Sequence, residues 1–426
     1  ELLTARRDAT LNEIAAFGVK RIREQVVWKN YAPRANSARK PRFNAADPNA
    51  YPAGVWGPLD ALVAGARARG MQLQLTLTGP VPRWATGRKR GFTFRPSARE
   101  FRLFATAVGR RYGAQVSLWS IWNEPNQPQF LQPQFGAHRR LVSPGIYRAL
   151  YKAGYAGIRA TAANAHDKIL IGETSPRGGR KVVAPLAFLR GMLCLNSRYH
   201  KRRGCKKLPA SGYAHHAYTT SAGPRFRPPN PDDVTIGVLP RLVRALDRAG
   251  RAGALPRRLP IYLTEFGIQS FPDHLLGVSL ARQAAYLAIS EHIAYVNPRV
   301  VQYSQYLMRD DLPRKHGYRY SGFESGLRTW RGRKKPAYNG FRLPLAVERS
   351  GGTDLLWGLV RPDRARTRVT VYAALPHKRW RRLKTLTTSA TGVYGFGTRH
   401  RRGQRYRVRW RSPSGHVFTG ATIRVF

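Results

Sequence analysis

Short apolar runs alternate with longer amphipathic segments from Val19 to about Gln305. The run at 261–266 is apolar at four of its six positions, as in a strand buried on both faces, whereas 97–112 repeats its apolar positions at helical spacing. Such alternation predicts a parallel sheet with helices packed outside it. The predicted strands are Val19–Val27, Met71–Thr78, Val116–Trp122, Lys168–Gly172, Gly212–Tyr218, Ile261–Phe266 and Val300–Tyr306.

The segments between these strands carry the end signals of helices. Ser97 and Ser143 stand at N-cap positions, and Pro144 follows at a first helical position. Gly70 and Gly250 stand where helices close. The predicted helices are Gly57–Arg69, Ser97–Tyr112, Pro144–Thr161, Thr235–Ala249 and Val278–Val296.

The strand pattern predicts an α/β fold of the (β/α)8 TIM-barrel type. Seven strands are visible, and the chain opens on an amphipathic helix, so we expect the first barrel strand upstream of Glu1 or at the extreme N-terminus. The alternative is an open doubly wound sheet. No G-x-G-x-x-G sequence follows the first predicted strand, so the dinucleotide-binding version of that fold would lack its phosphate site. The barrel is therefore favoured.

After Lys334 the pattern changes to short β-branched or aromatic runs separated by turn residues, which predicts a small all-β sandwich. The boundary is expected near 343–352, giving a catalytic barrel over 1–342 and an Ig-like accessory domain over 343–426. Aromatic residues are spread evenly through the sandwich, which favours a structural role over a sugar-binding platform. The predicted strands are Trp357–Arg361, Arg368–Ala374, Trp380–Ser389, Gly392–Thr398, Arg405–Trp410, His416–Gly420 and Thr422–Phe426.

The net charge is extreme, with 75 Lys and Arg against 22 Asp and Glu, a formal +53. A surface of this sign attracts polyanions. Because the arginines are scattered over every predicted element, we favour a generic basic surface that binds nucleic acid only non-specifically. No run approaches the ~20 apolar residues of a membrane span.

The two cysteines, Cys194 and Cys205, flank a basic, loop-like stretch. We expect a disulfide between them, which indicates a secreted or extracytoplasmic protein whose export signal is not in this chain. Two free thiols are the alternative. No His, Cys and Asp cluster has the spacing of metal ligands, and no G-x-S-x-G marks a serine hydrolase, so neither metal nor cofactor is expected.

Two predicted strands each deliver a glutamate at the carboxyl end. Glu124 follows the apolar strand 116–122 within Asn-Glu-Pro, and Glu265 lies in Thr-Glu-Phe-Gly at the tip of the strand 261–266. If one strand lies upstream, the two end strands four and seven, and their carboxylates meet across the mouth of the barrel. Carboxyl groups held ~5–5.5 Å apart are what a retaining glycosidase requires.

These two motifs together resemble those of glycoside hydrolase clan A, whose members are retaining (β/α)8-barrel glycosidases. Within the clan the resemblance is strongest to families 39 and 5. The resemblance covers roughly 1–340. It implies that Glu124 is the general acid/base, that Glu265 is the nucleophile, and that Asn123 hydrogen-bonds the sugar 2-hydroxyl.

The same resemblance assigns roles to side chains on two other strands. Alternation along the strand places His216 and Tyr218 on one face, and the clan pair of this kind contacts substrate and orients the nucleophile. Arg23 matches the clan arginine that keeps the nucleophile ionised, and Gln25 shares its face. Arg21 would then also point inward, near the barrel floor.

Aromatic side chains near strand ends are candidates for stacking on sugar rings, although most tryptophan side chains in proteins are packed in the core. The clan tryptophan that ends strand eight is absent, so we expect Gln305 or Tyr306 to line that wall. Glu173 also follows a strand and is interpreted as a loop organiser. The candidate tryptophans are Trp28, Trp84 and Trp122 at strand ends and Trp330 in a later loop.

The sequence therefore predicts a monomeric retaining glycoside hydrolase that cleaves an oligo- or polysaccharide by double displacement. Two alternatives stay open. A transglycosylase would use the same site, and a non-catalytic polyanion- or polysaccharide-binding barrel would use the basic surface alone. An acidic polysaccharide as substrate would combine the basic surface with catalysis.

Overall fold

The computed structural model describes residues 1–87, 91–313 and 322–425. Seven parallel strands form one curled sheet in the order of the chain, from β1 to β7, and all seven were predicted. Three of the strands, at 118–121, 212–216 and 261–266, are buried along their whole length, because helices cover one face and barrel side chains fill the other. The strands are β1 Arg21–Val27, β2 Gln72–Thr78, β3 Leu118–Ile121, β4 Lys168–Thr174, β5 Gly212–His216, β6 Ile261–Phe266 and β7 Val300–Gln305.

Helices connect successive strands and pack around the sheet. The predicted N-cap at Ser97 is confirmed, since its side chain accepts a hydrogen bond from the Glu100 backbone N–H. Ser143 is instead the first residue of its helix, and its hydroxyl donates to Gln134. The helices are α1 Arg7–Ala16, α2 Trp28–Tyr31, α3 Gly57–Arg67, α4 Ala98–Tyr112, α5 Ser143–Ile158, α6 Pro185–Met192, α7 Leu239–Arg251, α8 Leu280–Tyr295 and α9 Pro336–Arg342.

Within the described residues, β1 and β7 are the two free edges of the sheet. A cleft of about 1760 Å³ follows this gap and reaches Glu265. Side chains bridge the gap at the barrel floor, where Arg21 donates to Gln302 at 2.8 Å and Gln302 donates to Gln74 at 2.9 Å. The inward position expected of Arg21 is thereby explained. Residues 1–6 form turns, so the expected first strand does not lie at the extreme N-terminus.

The rest of the chain is all-β, as predicted, in two antiparallel sheets. One has the order β11-β10-β13-β14 with β15 also on β13, and the other has the order β12-β9-β8. Strand β8 was not predicted, because it lies where the boundary was expected. Phe426, the end of the last predicted strand, lies outside the described residues. The strands are β8 Leu345–Ser350, β9 Thr353–Leu359, β10 Arg368–Ala374, β11 Arg381–Thr387, β12 Val393–Arg399, β13 Arg405–Arg411, β14 Val417–Thr419 and β15 Ile423–Arg424.

Helix α8 makes several of the contacts between the two parts of the chain. Ala288 of α8 joins a buried apolar cluster with Trp357 of β9. Next to it, the Arg361 guanidinium donates to both carboxylate oxygens of Glu291 at 2.7 and 2.5 Å, and both side chains are largely buried. We propose the division into 1–342 and 343–426, with α8 as the shared support.

Cys194 and Cys205 form the expected disulfide, after α6. Among the described residues, no helix combines the length and the apolar character needed to cross a bilayer.

Replacing Glu291 by Ala should leave the Arg361 charge without its partner in a largely buried site. We expect the free energy of unfolding to fall by about 3 kcal/mol in denaturant titrations, because a buried ion that loses its partner is poorly solvated. Asp8→Ala removes an exposed partner of Arg7 and should have no measurable effect. Equal stability of all three proteins would contradict a stabilising role for the buried pair.

Candidate active site

Glu124 and Glu265 meet at the carboxyl ends of the parallel strands. A carboxylate oxygen of each and a ring nitrogen of His216 all lie within 4.8 Å of one another. Glu265 lies within β6, whereas Glu124 follows β3 in a left-handed conformation with φ +37°. That conformation is rare for a residue with a side chain, and here the Glu124 backbone N–H donates to the Glu173 carbonyl at 2.9 Å. The two carboxylates are therefore close enough to act on the same bond of a bound molecule.

Glu265 accepts hydrogen bonds from three side chains. Arg23 of β1 donates to Oε1 at 2.5 Å, and Gln25 donates to the same oxygen at 3.4 Å. The Tyr218 hydroxyl donates to Oε2 at 3.3 Å. A carboxylate held by a guanidinium and two neutral donors is fixed in its orientation.

Glu124 lies in surroundings that favour its protonated form. Burial raises the pKa of this carboxyl above its usual value, and the nearby charge of Glu265 raises it further. The hydrogen bond from His216 Nδ1 to Oε1, at 2.9 Å, offsets part of this effect. The two glutamates therefore differ in environment, which is the condition for one to donate a proton while the other is ionised.

His216 lies between three carboxylates and is fully buried. Its Nδ1 faces Glu124, and its Nε2 donates to Glu173 at 2.7 Å. Burial alone would lower the pKa of this imidazole, but the charge of Glu265 and the hydrogen bonds to Glu124 and Glu173 outweigh it and raise the pKa to about 10. His215, on the opposite face as expected, has its pKa lowered to about 4 by burial and contacts Val234 instead.

Glu173 is a site residue whose position the sequence interpretation missed. It belongs to β4, its side chain is 0% exposed, and it takes a left-handed φ of +50°. Burial would raise the pKa of this carboxyl, but the Arg23 charge and the His216 hydrogen bond lower it to about 2. It accepts hydrogen bonds from Arg23, His216, Thr264, Gln74 and Ser120.

A signal for Glu173 was present in the sequence, because it ends an apolar strand as Glu124 and Glu265 do. The interpretation as a loop organiser was wrong about its surroundings, since its carboxylate lies inside the barrel. With Glu173 included, two cations, Arg23 and His216, face two anions, Glu173 and Glu265. A charged Glu124 would unbalance the buried set, which gives a second reason for its neutral form.

Asn123 is fixed by the same network. Its Oδ1 accepts hydrogen bonds from Arg23 at 2.8 Å and from Gln25 at 3.2 Å. No hydrogen bond within the described part of the chain uses its Nδ2, so the side chain presents a donor beside the two carboxylates.

The strand-end tryptophans do not line the cleft. Trp28, Trp84 and Trp122 are 1%, 3% and 0% exposed. The Trp28 ring stacks on Phe104 with the ring centroids 5.5 Å apart, and Trp122 packs edge-on against Phe101. Their faces are covered by other side chains, so the expectation that they stack on sugar is replaced by a role in the core.

The wall formed by β7 is polar. Gln305 donates to the Ser325 carbonyl at 2.8 Å, which fixes its amide, and Tyr306 lines the cleft beside it. Trp330 borders the same cleft and is 38% exposed, so it is the predicted tryptophan whose indole is accessible.

Glu124, His216 and Glu265 lie close enough together to hold a metal ion. A ligating imidazole needs a free lone pair, however, and both nitrogens of His216 face carboxylates while its pKa is raised to about 10. These residues fit a proton-transfer site better than a metal site.

Solved structures share this fold at low sequence identity. A family 39 glycoside hydrolase from the gut symbiont Bacteroides cellulosilyticus WH2 matches with a TM-score of 0.52 and 16% identity, over 92% of this chain and 78% of that one. A beta-glucosidase from Thermotoga maritima matches at 0.52 and 14%, over 79% and 84%, and Fpglu1 from Fervidobacterium pennivoraus at 0.52 and 14%, over 79% and 82%. No protein-family model and no curated protein matches the chain. The likeness confirms the predicted barrel fold.

The protonation of His216 should make stability depend on pH. Its pKa is raised from 6.5 to about 10 on folding, so the native state binds one proton more than the unfolded state between these values. The stabilisation is complete below pH 6.5 and is lost as pH rises through 10. We expect this group to lower the free energy of unfolding by about 1.4 kcal/mol per pH unit in that range.

Denaturant titrations at successive pH values would measure this slope, and His216→Gln should flatten it. His215→Gln is the matched control, because His215 is neutral over the same range, and it should keep the slope of the wild type. An unchanged slope in His216→Gln would show that another group titrates.

Proposed function

We propose that the protein is a retaining glycoside hydrolase, with Glu265 as nucleophile and Glu124 as general acid/base. The observation that carries this proposal is the pair of carboxylates with oxygens within 4.8 Å, one beside a guanidinium and the other with a raised pKa. The likeness in fold to glycoside hydrolases supports it. The expected substrate is the glycosidic bond of an oligo- or polysaccharide.

In the first half-reaction a Glu265 oxygen attacks the anomeric carbon, and the bond to the leaving oxygen breaks. Glu124 gives its proton to that oxygen, and the product is an ester between the sugar and Glu265. Once deprotonated, Glu124 is an anion beside the His216 imidazolium, which stabilises the new charge.

In the second half-reaction Glu124 removes a proton from water, and the water oxygen attacks the same carbon from the side that the leaving group vacated. The ester bond breaks, Glu265 regains its charge beside Arg23, and the configuration of the sugar is retained. Two inversions at one carbon account for the retention.

The neighbouring residues act on the two glutamates. Arg23 and Tyr218 orient the Glu265 carboxylate, and Glu173 keeps Arg23 and His216 in place and charged. The Nδ2 donor of Asn123 is proposed to bind the sugar 2-hydroxyl, as the clan resemblance implies. The disulfide supports a secreted or extracytoplasmic setting, which remains part of the proposal.

Glu265→Gln should remove the nucleophile with little change of shape. We expect kcat on an activated aryl glycoside to fall on the order of a thousandfold or more, since the ester can no longer form. A panel of aryl glycosides should be screened first to find a turned-over sugar. Glu100→Gln is the matched control. Glu100 lies on α4 and pairs with Lys40, so this variant should retain the rate of the wild type.

A 2-deoxy-2-fluoro glycoside of the same sugar should label the wild type, and mass spectrometry should find the label on the peptide that contains Glu265. A label elsewhere, or equal rates in wild type and Glu265→Gln, would refute the nucleophile assignment.

Glu124→Ala should separate the two proton-transfer roles. Substrates with a poor leaving group should slow by ~10²–10⁴-fold, whereas a dinitrophenyl glycoside, which needs no acid, should still form the ester. Azide should then raise the rate and yield a glycosyl azide of retained configuration, detected by proton NMR. The wild type, measured alongside, should not respond to azide. An inverted azide product would exclude double displacement.

A further inference from the structure

The outer face of the larger C-terminal sheet carries a row of arginines. Along β13, residues 406, 408 and 410 are buried in the sandwich, and Arg405, Arg407, Arg409 and Arg411 alternate with them on the opposite face. Alternate residues of a strand are ~6.8 Å apart on one face. The strand therefore presents its positive charges at a regular spacing.

The guanidinium groups of this row are interleaved with aromatic rings. Arg405 and Arg407 lie over Trp380, with the guanidinium carbons 5.6 and 4.1 Å from the ring centroid. Arg407 and Arg409 lie over Tyr372 of β10 at 5.9 and 5.2 Å. We call these five residues the arginine ladder. Rings hold the guanidinium planes in place, which reduces the entropy lost when a ligand binds.

The ladder has no acidic neighbour on its sheet. None of the strands β10, β11, β13, β14 and β15 contains Asp or Glu, and residues 343–426 hold 18 Lys and Arg against three acids. Two of those acids are used elsewhere. Glu348 pairs with Arg225 of the barrel, and Asp354 is buried with His400 and Tyr406.

Arg407 and Arg409 consequently lack a counter-charge. Within the described part of the chain neither guanidinium makes a hydrogen bond or an ion pair, and both Nε atoms are buried without a partner. Partial burial and the adjacent Arg409 lower the pKa of Arg407. Barrel arginines differ from these, as in Arg111 with Asp60 and Arg190 with Asp232. A bound anion would relieve the repulsion within the ladder.

We propose that the arginine ladder is a binding site for a linear polysaccharide that carries carboxylates, a uronic-acid chain. A guanidinium matches a carboxylate with two parallel hydrogen bonds, and a flat strand face fits an extended chain. Duplex DNA is the competing polyanion, since its major groove admits strands as well as a helix, and it is therefore compared in the test below. The carbohydrate nature of the ligand rests on the proposed glycosidase function, whereas the need for an anion rests on the ladder itself.

Binding of polygalacturonate to the full chain would test this site. The experiment uses Glu265→Gln, so that binding is measured without turnover, by titration calorimetry at two salt concentrations. We expect binding that weakens with salt, and no binding of neutral dextran. Arg407→Gln with Arg409→Gln should weaken it by roughly tenfold, given the strength of charge-assisted hydrogen bonds.

Two further variants separate the ladder from the general basic surface. Arg244→Gln with Arg251→Gln removes the same charge from exposed positions on α7 and should leave binding nearly unchanged. Arg407→Lys with Arg409→Lys keeps the charge but loses the planar fork, and it should weaken binding almost as much as the Gln pair. Equal loss in the α7 and ladder Gln pairs would overturn the proposal.

The experiment distinguishes failure of this site from failure of the enzymatic proposal. Each ladder substitution is also made in the otherwise wild-type chain, which should keep its melting temperature and its turnover of a small neutral aryl glycoside, showing that the fold is intact. If a ladder variant unfolds, Arg382→Gln serves in its place. Arg382 lies on β11, opposite Tyr372 of β10, and its substitution should also weaken binding. Tighter binding of duplex DNA or dextran sulfate than of polygalacturonate would refute a uronate site, and absent turnover with intact binding would refute only the glycosidase.

Discussion

The balance of buried charge inside the barrel is the constraint on which the active site depends. Arg23 and His216 are cations without access to bulk water, and they are stable there because Glu173 and Glu265 face them. The same balance favours a neutral Glu124. One electrostatic requirement thus keeps a proton on Glu124, which is the group proposed to donate it.

The barrel supplies this balance because every participating strand ends at the same rim. Glu173 on β4 holds cations that come from β1 and from β5, and the cations in turn hold glutamates from β3 and β6. Strands β3 to β6 follow one another in the chain, whereas Arg23 comes from β1 at the edge of the sheet. In this arrangement Glu124 and Glu173 both adopt the left-handed backbone conformation, which is unfavourable for residues with a side chain. A backbone hydrogen bond between them joins the two strand ends.

Arginine has two different uses in this chain. In the barrel and at its junction with the sandwich, arginines such as Arg361 are paired with scarce acids and hold elements together. On the outer face of β13, Arg407 and Arg409 are stacked on rings, and among the residues that the structure describes no acid pairs with them. The excess of basic residues is therefore not spread over one uniform surface. Some arginines form ion pairs that join elements of the fold, and others present a charge without an acidic partner among the described residues.

The sequence by itself determined the seven strands, the all-β second part and the pair of strand-end glutamates, because burial on both faces and alternation along a strand are written in local patterns. Tertiary structure decided which side chains from distant parts of the chain contact one another, because a local pattern holds no information about such contacts. Trp28, Trp84 and Trp122 entered the core because neighbouring rings covered them, and Arg21 found its partner across the sheet gap. Glu173 became the counter-ion of the site for the same reason, since its partners lie on strands distant in the chain and only folding brings them within hydrogen-bonding distance.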